Sequence, residues 1–263
     1  MKAAKPLVAI AILIAVAGAA YALISRAVQT DILLSDVIAT PIEEAKGSVA
    51  VFMTIRNSGG PDRLVSARSI VAQRSRLDHA VADAGLPIPA DSTPSLAPDG
   101  AFILMDGMGG DLQEGRMIPV TLRFENAGEF RTQARLAPPR SRGDVGDFGL
   151  YGIGDICRVE EGEPLPQVGI AVEPDGDGWR VRVQADDFTF APDLVDEAHV
   201  PGTGHGHLYL GGLKLQRLYE PEARIGALPP GKHQVRVTLS TNDHRAYVVD
   251  DLPVSATAEI IVR

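Results

Sequence analysis

Cysteine occurs once in the 263 residues, at Cys157, so no internal disulfide can staple the fold. That usage fits an exported bacterial protein that does without disulfides, and taken alone it does not fix a compartment. Positive charge is short as well. Lys and Arg total 25 against 34 Asp and Glu, and the formal net charge of −9 argues against a nucleic-acid surface or a face for anionic lipid. No Gly-x-Ser-x-Gly, phosphate loop or His-Glu-x-x-His is present, so nucleophilic, nucleotide-dependent and zinc-protease chemistry all lack a signature. Long helical periodicity is missing too, and no repeat links the two halves of the chain. What is present, 45% hydrophobic and 22% charged residues, is the composition of a folded protein large enough for one large domain or two small ones.

The first thirty residues are different in kind. After Lys2 and Lys5, the run "LVAIAILIAVAGAAYALI" (7–24) carries no charge until Arg26. It exceeds the roughly 7–15 residues of a signal-peptide core, which favours a retained single-span anchor. Ala20-Tyr21-Ala22 resembles a small-x-small cleavage site and keeps the cleaved-signal alternative open. Lysines ahead of the run place the N-terminus inside, and either reading puts the remainder outside the membrane.

Beyond residue 30, short β-type runs alternate with turn residues. "SVAVFMTIRN" (48–57) closes in "SGGPD", and "IPVTLRF" (118–124) closes in "ENAG". We expect an all-β chain organised as a signal anchor or signal peptide over 1–30, one sandwich over 31–137, a Pro- and Gly-rich linker over 138–165 and a second sandwich over 166–263. "DGDG" (175–178) lacks most ligands of a calcium loop and reads as a hairpin turn. Arg142-Gly143-Asp144 is a coincidence within the linker.

Three blocks, "VFMTIRNSGGPDRLVSARS" (51–69), "LAPDGAFILMDGM" (96–108) and "LQEGRMIPVTLRFENAG" (112–128), make residues 31–136 resemble the PCu(A)C-type periplasmic copper chaperones. The resemblance implies a cupredoxin-like β-sandwich. In that family Cu(I) is held by a His, a Met some ten residues on, and a His-x-Met pair just after a Pro-Gly-Gly turn, imidazole and thioether being suited to a soft ion. Here His79 stands near the first position, no Met follows it, and the later pair aligns with Phe102 and Leu104. Met105 and Met108 are out of register and read as packing. The resemblance therefore implies a first domain with the chaperone fold but without its usual copper site, with His79 as a residual candidate.

Five of the six histidines lie after residue 198: His199, His205, His207, His233 and His244. The segments "GHGHLYLGGLKLQRLYEP" (204–221) and "LPPGKHQVRVTLSTNDHRAYVVDDLPV" (228–254) resemble a His-containing β-sandwich module of secreted bacterial proteins. In a strand over "GTGHGHLYLGG" (202–212), His205, His207 and Tyr209 share one face, while Leu208 and Leu210 share the other. Glycines 202, 204 and 206 allow close backbone approach. A third donor must come from another strand, and His244, which follows "STND" (240–243) at the end of a predicted strand, is the candidate. Three imidazoles without a thiolate suit Cu(II), with Zn(II) as competitor. The alternative is a solvated histidine pair on an edge strand. His199 and His233 read as surface and turn residues, and Arg217 and Tyr219 either border the site or pair with nearby acids.

These observations predict two tandem cupredoxin-like sandwiches behind an N-terminal helix, on the periplasmic side of the bacterial inner membrane, anchored there or soluble if the signal is cleaved. The expected metal ligands are His205, His207 and His244, with His79 weaker. The expected role is copper delivery, as in metal-site assembly, or sequestration, with a copper-acceptor protein or second chaperone as partner, and no nucleic acid. An envelope scaffold without metal is the rival reading, and a three-His metalloenzyme is the third.

Overall fold

The computed structural model describes residues 31–43, 45–78, 85–138 and 156–263. The apolar run at 7–24, His79 and most of the expected linker lie outside the described residues. Among the described residues no helix is long and apolar enough to cross a membrane. Ile32–Arg263 forms one compact unit of β-strands, with a single 3-10 turn at Pro192–Leu194 among the described residues.

The N-terminal half contains β1 (Ile32–Pro41), β2 (Val49–Asn57), β3 (Asp62–Arg68), β4 (Arg74–Asp78), β5 (Leu86–Ile88), β6 (Ser95–Leu96), β7 (Phe102–Asp106), β8 (Met117–Phe124) and β9 (Gly128–Leu136). Pairing runs β4-β7-β2-β1-β9-β8-β3-β5, antiparallel except for β1 with β9, and β6 adds to β2. Alternation in the sequence builds the core. Ile118, Val120, Leu122 and Phe124 of β8 point inward with Val49, Val51, Met53 and Ile55 of β2. Met105 joins that core and Met108 packs against its rim, so both methionines are spent on packing. On the other face of β7, Phe102 and Leu104 pack with Ile42 and Ala50. An apolar cluster thus occupies the positions that align with the chaperone family's His-x-Met pair.

The C-terminal half contains β10 (Ile156–Arg158), β11 (Gln167–Asp175), β12 (Gly178–Asp186), β13 (Thr189–Phe190), β14 (Thr203–Leu210), β15 (Leu213–Leu218), β16 (Glu222–Ile225), β17 (Gly231–Ser240), β18 (Ala246–Val249), β19 (Leu252–Pro253) and β20 (Ser255–Val262). A three-stranded sheet, β11-β12-β16, faces the sheet β15-β14-β17-β20. Val181 and Val183 from the first sheet meet Leu208, Leu210, Val235, Val237 and Ile260 from the second. "DGDG" is the β11–β12 turn, with Asp175 opposite Gly178 and Gly176 at φ +63°.

Three residues sit differently from their sequence reading. Cys157, expected in the linker, lies on β10, pairs in parallel with β18 and is buried with Leu239, Tyr247 and Val254. His233 is not a surface turn residue: it is buried on β17, and its Nε2 donates to the carbonyl of Pro229 at 2.7 Å. His199 is half-buried, its Nε2 3.6 Å from the Cys157 sulfur and its ring against Tyr247.

The halves meet through the backbone. Lys214 of β15 pairs with Ser95 of β6, the Ala101 amide donates to the Gly212 carbonyl at 2.7 Å, and the Ala90 amide donates to Ala227 at 2.9 Å. Arg63 adds a bond to the Pro230 carbonyl at 2.8 Å.

Candidate metal centre

Strand β14 is an interior strand, bonded to β15 on one side and β17 on the other, so its histidines do not stand on a sheet edge. Leu208 and Leu210 turn into the sandwich core, which sends His205, His207 and Tyr209 to the opposite face. That face is not wet: His205 is 0% and His207 6% exposed. Arg236 stacks over Tyr209 at 4.2 Å, and the Tyr219 ring lies 6.1 Å from His205. Gly204 makes the close approach to β17 possible, since a Cβ there would sit 1.9 Å from the Ser240 carbonyl oxygen.

His244 arrives on the turn joining β17 to β18. Its φ of +67° is uncommon for a side chain larger than glycine, although histidine tolerates it better than most. The turn is held on both sides. The His244 amide donates to Thr241 and the Thr241 amide to Arg245, while buried Asn242 bonds Thr203 through its side chain at 2.9 Å. The Asp196 amide donates to the Asn242 carbonyl, bringing the Asp196 carboxylate against His244 Nε2.

Three ring nitrogens converge. Nε2 of His205 lies 3.0 Å from Nε2 of His207 and 3.3 Å from Nδ1 of His244, and a ligand atom from each ring lies within 4.8 Å of the others. Two nitrogens bound to one ion at ~2.0 Å in a tetrahedron are roughly 3.3 Å apart, so the spacing fits a single small cation. Carboxylates orient two of the rings. Asp196 accepts a hydrogen bond from His244 Nε2, and in the neutral ring Nδ1 is then a lone pair. Nδ1 of His207 lies 3.3 Å from the Tyr209 hydroxyl and 3.4 Å from Asp99 Oδ2, an arrangement that leaves Nε2 as a lone pair. Without a cation, these lone pairs compete for the one proton that His205 Nε2 could offer. Nδ1 of His205 is buried and has no hydrogen-bond partner among the described residues.

The protonation states suit ligation. Burial, then the neighbouring His207 and His244, push His205 down to about 3, and burial also lowers His207. Both are neutral at pH 7, as imidazole ligands must be. Burial alone would raise Asp99, but hydrogen bonding with His207 and the Lys214 ammonium hold it well below the usual carboxylate range. Asp196 is lowered by its bond with His244. Burial pushes the Tyr209 hydroxyl well above its ordinary value, so it remains a donor, to Asp99 at 2.8 Å.

Of the residues singled out in the sequence, His205, His207 and His244 are brought together, and His79 lies outside the described residues. Arg217 sits opposite His207 on β15, with its side chain exposed. Cys157 faces His199 instead, so the centre has no thiolate. Sequence reasoning missed Asp99 and Asp196. Neither is marked by a motif, and both reach the histidines only through the fold.

The family-model match lies in the N-terminal half. Residues 32–136 match the family model described as "Putative lipoprotein LpqE-like", the same span that carries the chaperone resemblance. "Putative lipoprotein Lxx21020" of Leifsonia xyli subsp. xyli is 36% identical over 91 residues, 30% of this chain and 55% of that protein. The chain therefore spans about half the length of the curated relative it matches. The copper-bound PCuAC domain from PmoF2 shares 24% identity at a TM-score of 0.38, covering 41% of this chain and 94% of that one. The Cu(I) form of DR1885 from Deinococcus radiodurans shares 24% identity at a TM-score of 0.34, covering 40% of this chain and 76% of that one. The matched span ends before β14, so none of the three clustered histidines falls within it.

Proposed function

We propose that this is a copper-binding protein of the bacterial cell envelope, acting in copper delivery or sequestration, with the ion on His205, His207 and His244. The observation that carries the reading is the convergence of three imidazole nitrogens, two of them with a carboxylate behind the ring. Copper(II) is preferred over zinc because nitrogen sites bind it more tightly along the divalent series. His244 is half-buried, so an ion can exchange without unfolding the sandwich. The N-terminal half, with Phe102 and Leu104 packed where the resembled family carries ligands, serves as a docking module for an acceptor or a second chaperone.

An envelope location is supported by the word lipoprotein in the names of the matched family and relative. The apolar run at 7–24 is the anchor we infer.

Titration of the metal-free protein with Cu(II) and Zn(II), followed by elemental analysis, tests the reading. One equivalent of copper per chain is expected, held more tightly than zinc and lost when His205 and His207 are both replaced by Ala. Replacing Met105 and Met108 with Leu should leave the stoichiometry unchanged. Binding that survives the double histidine replacement, or that disappears with His79→Ala, places the site elsewhere, and absence of stoichiometric binding favours the scaffold reading.

A further inference from the structure

Among the described residues, the N-terminal half contributes no ligand to the histidine cluster, yet it reaches the cluster with the Asp99 side chain. Asp99 stands on the turn between β6 and β7, and its carboxylate is 18% exposed. Among the described residues, the hydrogen-bonding and ion-pair partners of this carboxylate all belong to the other half. Asp99 Oδ2 lies 2.8 Å from the Tyr209 hydroxyl, 2.5 Å from Lys214 Nζ and 3.4 Å from His207 Nδ1. Resting on the metal reading above, we propose that Asp99 is a positioning residue for the metal centre. With the Tyr209 hydroxyl it holds the His207 proton on Nδ1, so that Nε2 faces the ion, and docking of the N-terminal half thereby completes the site.

The geometry supports this over simple neutralisation of Lys214. Tyr209 donates to Asp99, which leaves its oxygen lone pairs facing His207 Nδ1 at 3.3 Å, and the only group that this nitrogen can offer them is a proton. With the proton there, the second nitrogen must be a lone pair. The turn cannot swing away easily. The Ala97 amide bonds Ala101 at 2.9 Å, the Gly100 amide bonds Ala97 at 3.0 Å, and the Ala101 amide bonds Gly212 across the junction at 2.7 Å. Arg236 lies over the Tyr209 ring and bonds the Asp99 carbonyl at 3.4 Å. A carboxylate held this rigidly fixes the ring's tautomer and raises the basicity of the ligand nitrogen.

The test uses the full chain. Nitrogen-15 NMR of the metal-free protein should find His207 as the Nδ1–H tautomer, and Asp99→Asn should shift the population toward Nε2–H. Copper affinity in Asp99→Asn should fall by about 10- to 100-fold. Arg63→Ala, which removes a different contact between the halves, should leave affinity within about twofold of the parent chain. Should Asp99→Asn fail to fold, the parent's tautomer together with Tyr209→Phe, expected to shift the same population, decides the matter. An Nε2–H tautomer in the parent chain overturns the proposal, as does an Arg63→Ala loss as large as that of Asp99→Asn. If the tautomer behaves as expected but the parent binds no copper, the metal reading fails while the assignment of Asp99 to the His207 proton is upheld.

Discussion

Replacing Gly100 with Ala puts one methyl group into the junction beside the candidate metal centre, and its effect can be worked out from contacts. The backbone of Gly100 is not in the left-handed region, so alanine incurs no torsional penalty there. The obstacle is steric. A Cβ at Gly100 would sit 2.4 Å from the Gly212 carbonyl oxygen, and backbone atoms on the two sides must separate by at least about 1 Å to reach an ordinary contact. That carbonyl accepts the Ala101 amide at 2.7 Å, a bond worth about 1 kcal/mol. The same displacement lifts Asp99 from Tyr209 and Lys214, where hydrogen bonds to a charged group contribute roughly 1.5–3 kcal/mol each when intact. The buried methyl returns less than ~1 kcal/mol.

Partial loss of these contacts gives a net destabilisation of about 2–4 kcal/mol. For a chain of this size, that lowers Tm by roughly 4–15 °C. Thermal unfolding of the two proteins in chelator measures the stability, and a copper titration beside it should show weakened affinity, because Asp99 no longer backs His207. A Gly100→Ala chain that melts within about 1 °C of the parent and keeps its copper affinity would refute the claim that this turn is rigidly docked.

Acid should weaken the metal-free fold through His205. Its pKa is about 3 when folded and near 6.5 when unfolded, so between those values the unfolded chain binds the extra proton. The stabilisation is complete above about pH 6.5 and is lost as the pH falls toward about 3, at about 1.4 kcal/mol per pH unit. Buried His207 and His233 add in the same direction. Melting in chelator from about pH 7.5 to 5 should show the decline, and an equally steep slope in His205→Gln would sink the assignment. Asn57 supplies a separate test of the N-terminal half: its buried amide bonds Gly60 and Pro89 at 2.8 and 2.9 Å and accepts from the Gly59 amide at 3.0 Å. Asn57→Ala should destabilise by about 2–4 kcal/mol in urea unfolding with an unchanged m-value. A loss below about 0.5 kcal/mol would show that water replaces those bonds.

The strands were legible because their residues alternate with period two and each alternation is used. In β8 the apolar positions all enter the core, and in β14 the same rule separates Leu208 and Leu210 from His205 and His207. His244 was legible for a related reason, since a residue just past the end of β17 returns near the start of β14, to which β17 is paired. His233 was misread because the preceding Pro-Pro-Gly reads as a turn. The strand begins at Gly231 itself, and the ring folds back onto the Pro229 carbonyl.

What covers the histidines was not legible, because it depends on contacts between residues far apart in the chain. Tyr209 and Asp99 are 110 positions apart, and Pro98-Asp99-Gly100 reads as an ordinary turn with no mark of its partner. In the resembled chaperones, the turn at this place precedes the metal-binding His-x-Met pair. Here Phe102 and Leu104, which align with that pair, lie in an apolar cluster, while the turn itself carries a carboxylate to His207. An apolar pair keeps β7 packed without a metal, which leaves the turn free to serve a site on the other half. On the proposed reading, the N-terminal half orients a ligand of the ion held by the other half, and Asp99 reaches that ligand only through the docking of the two halves.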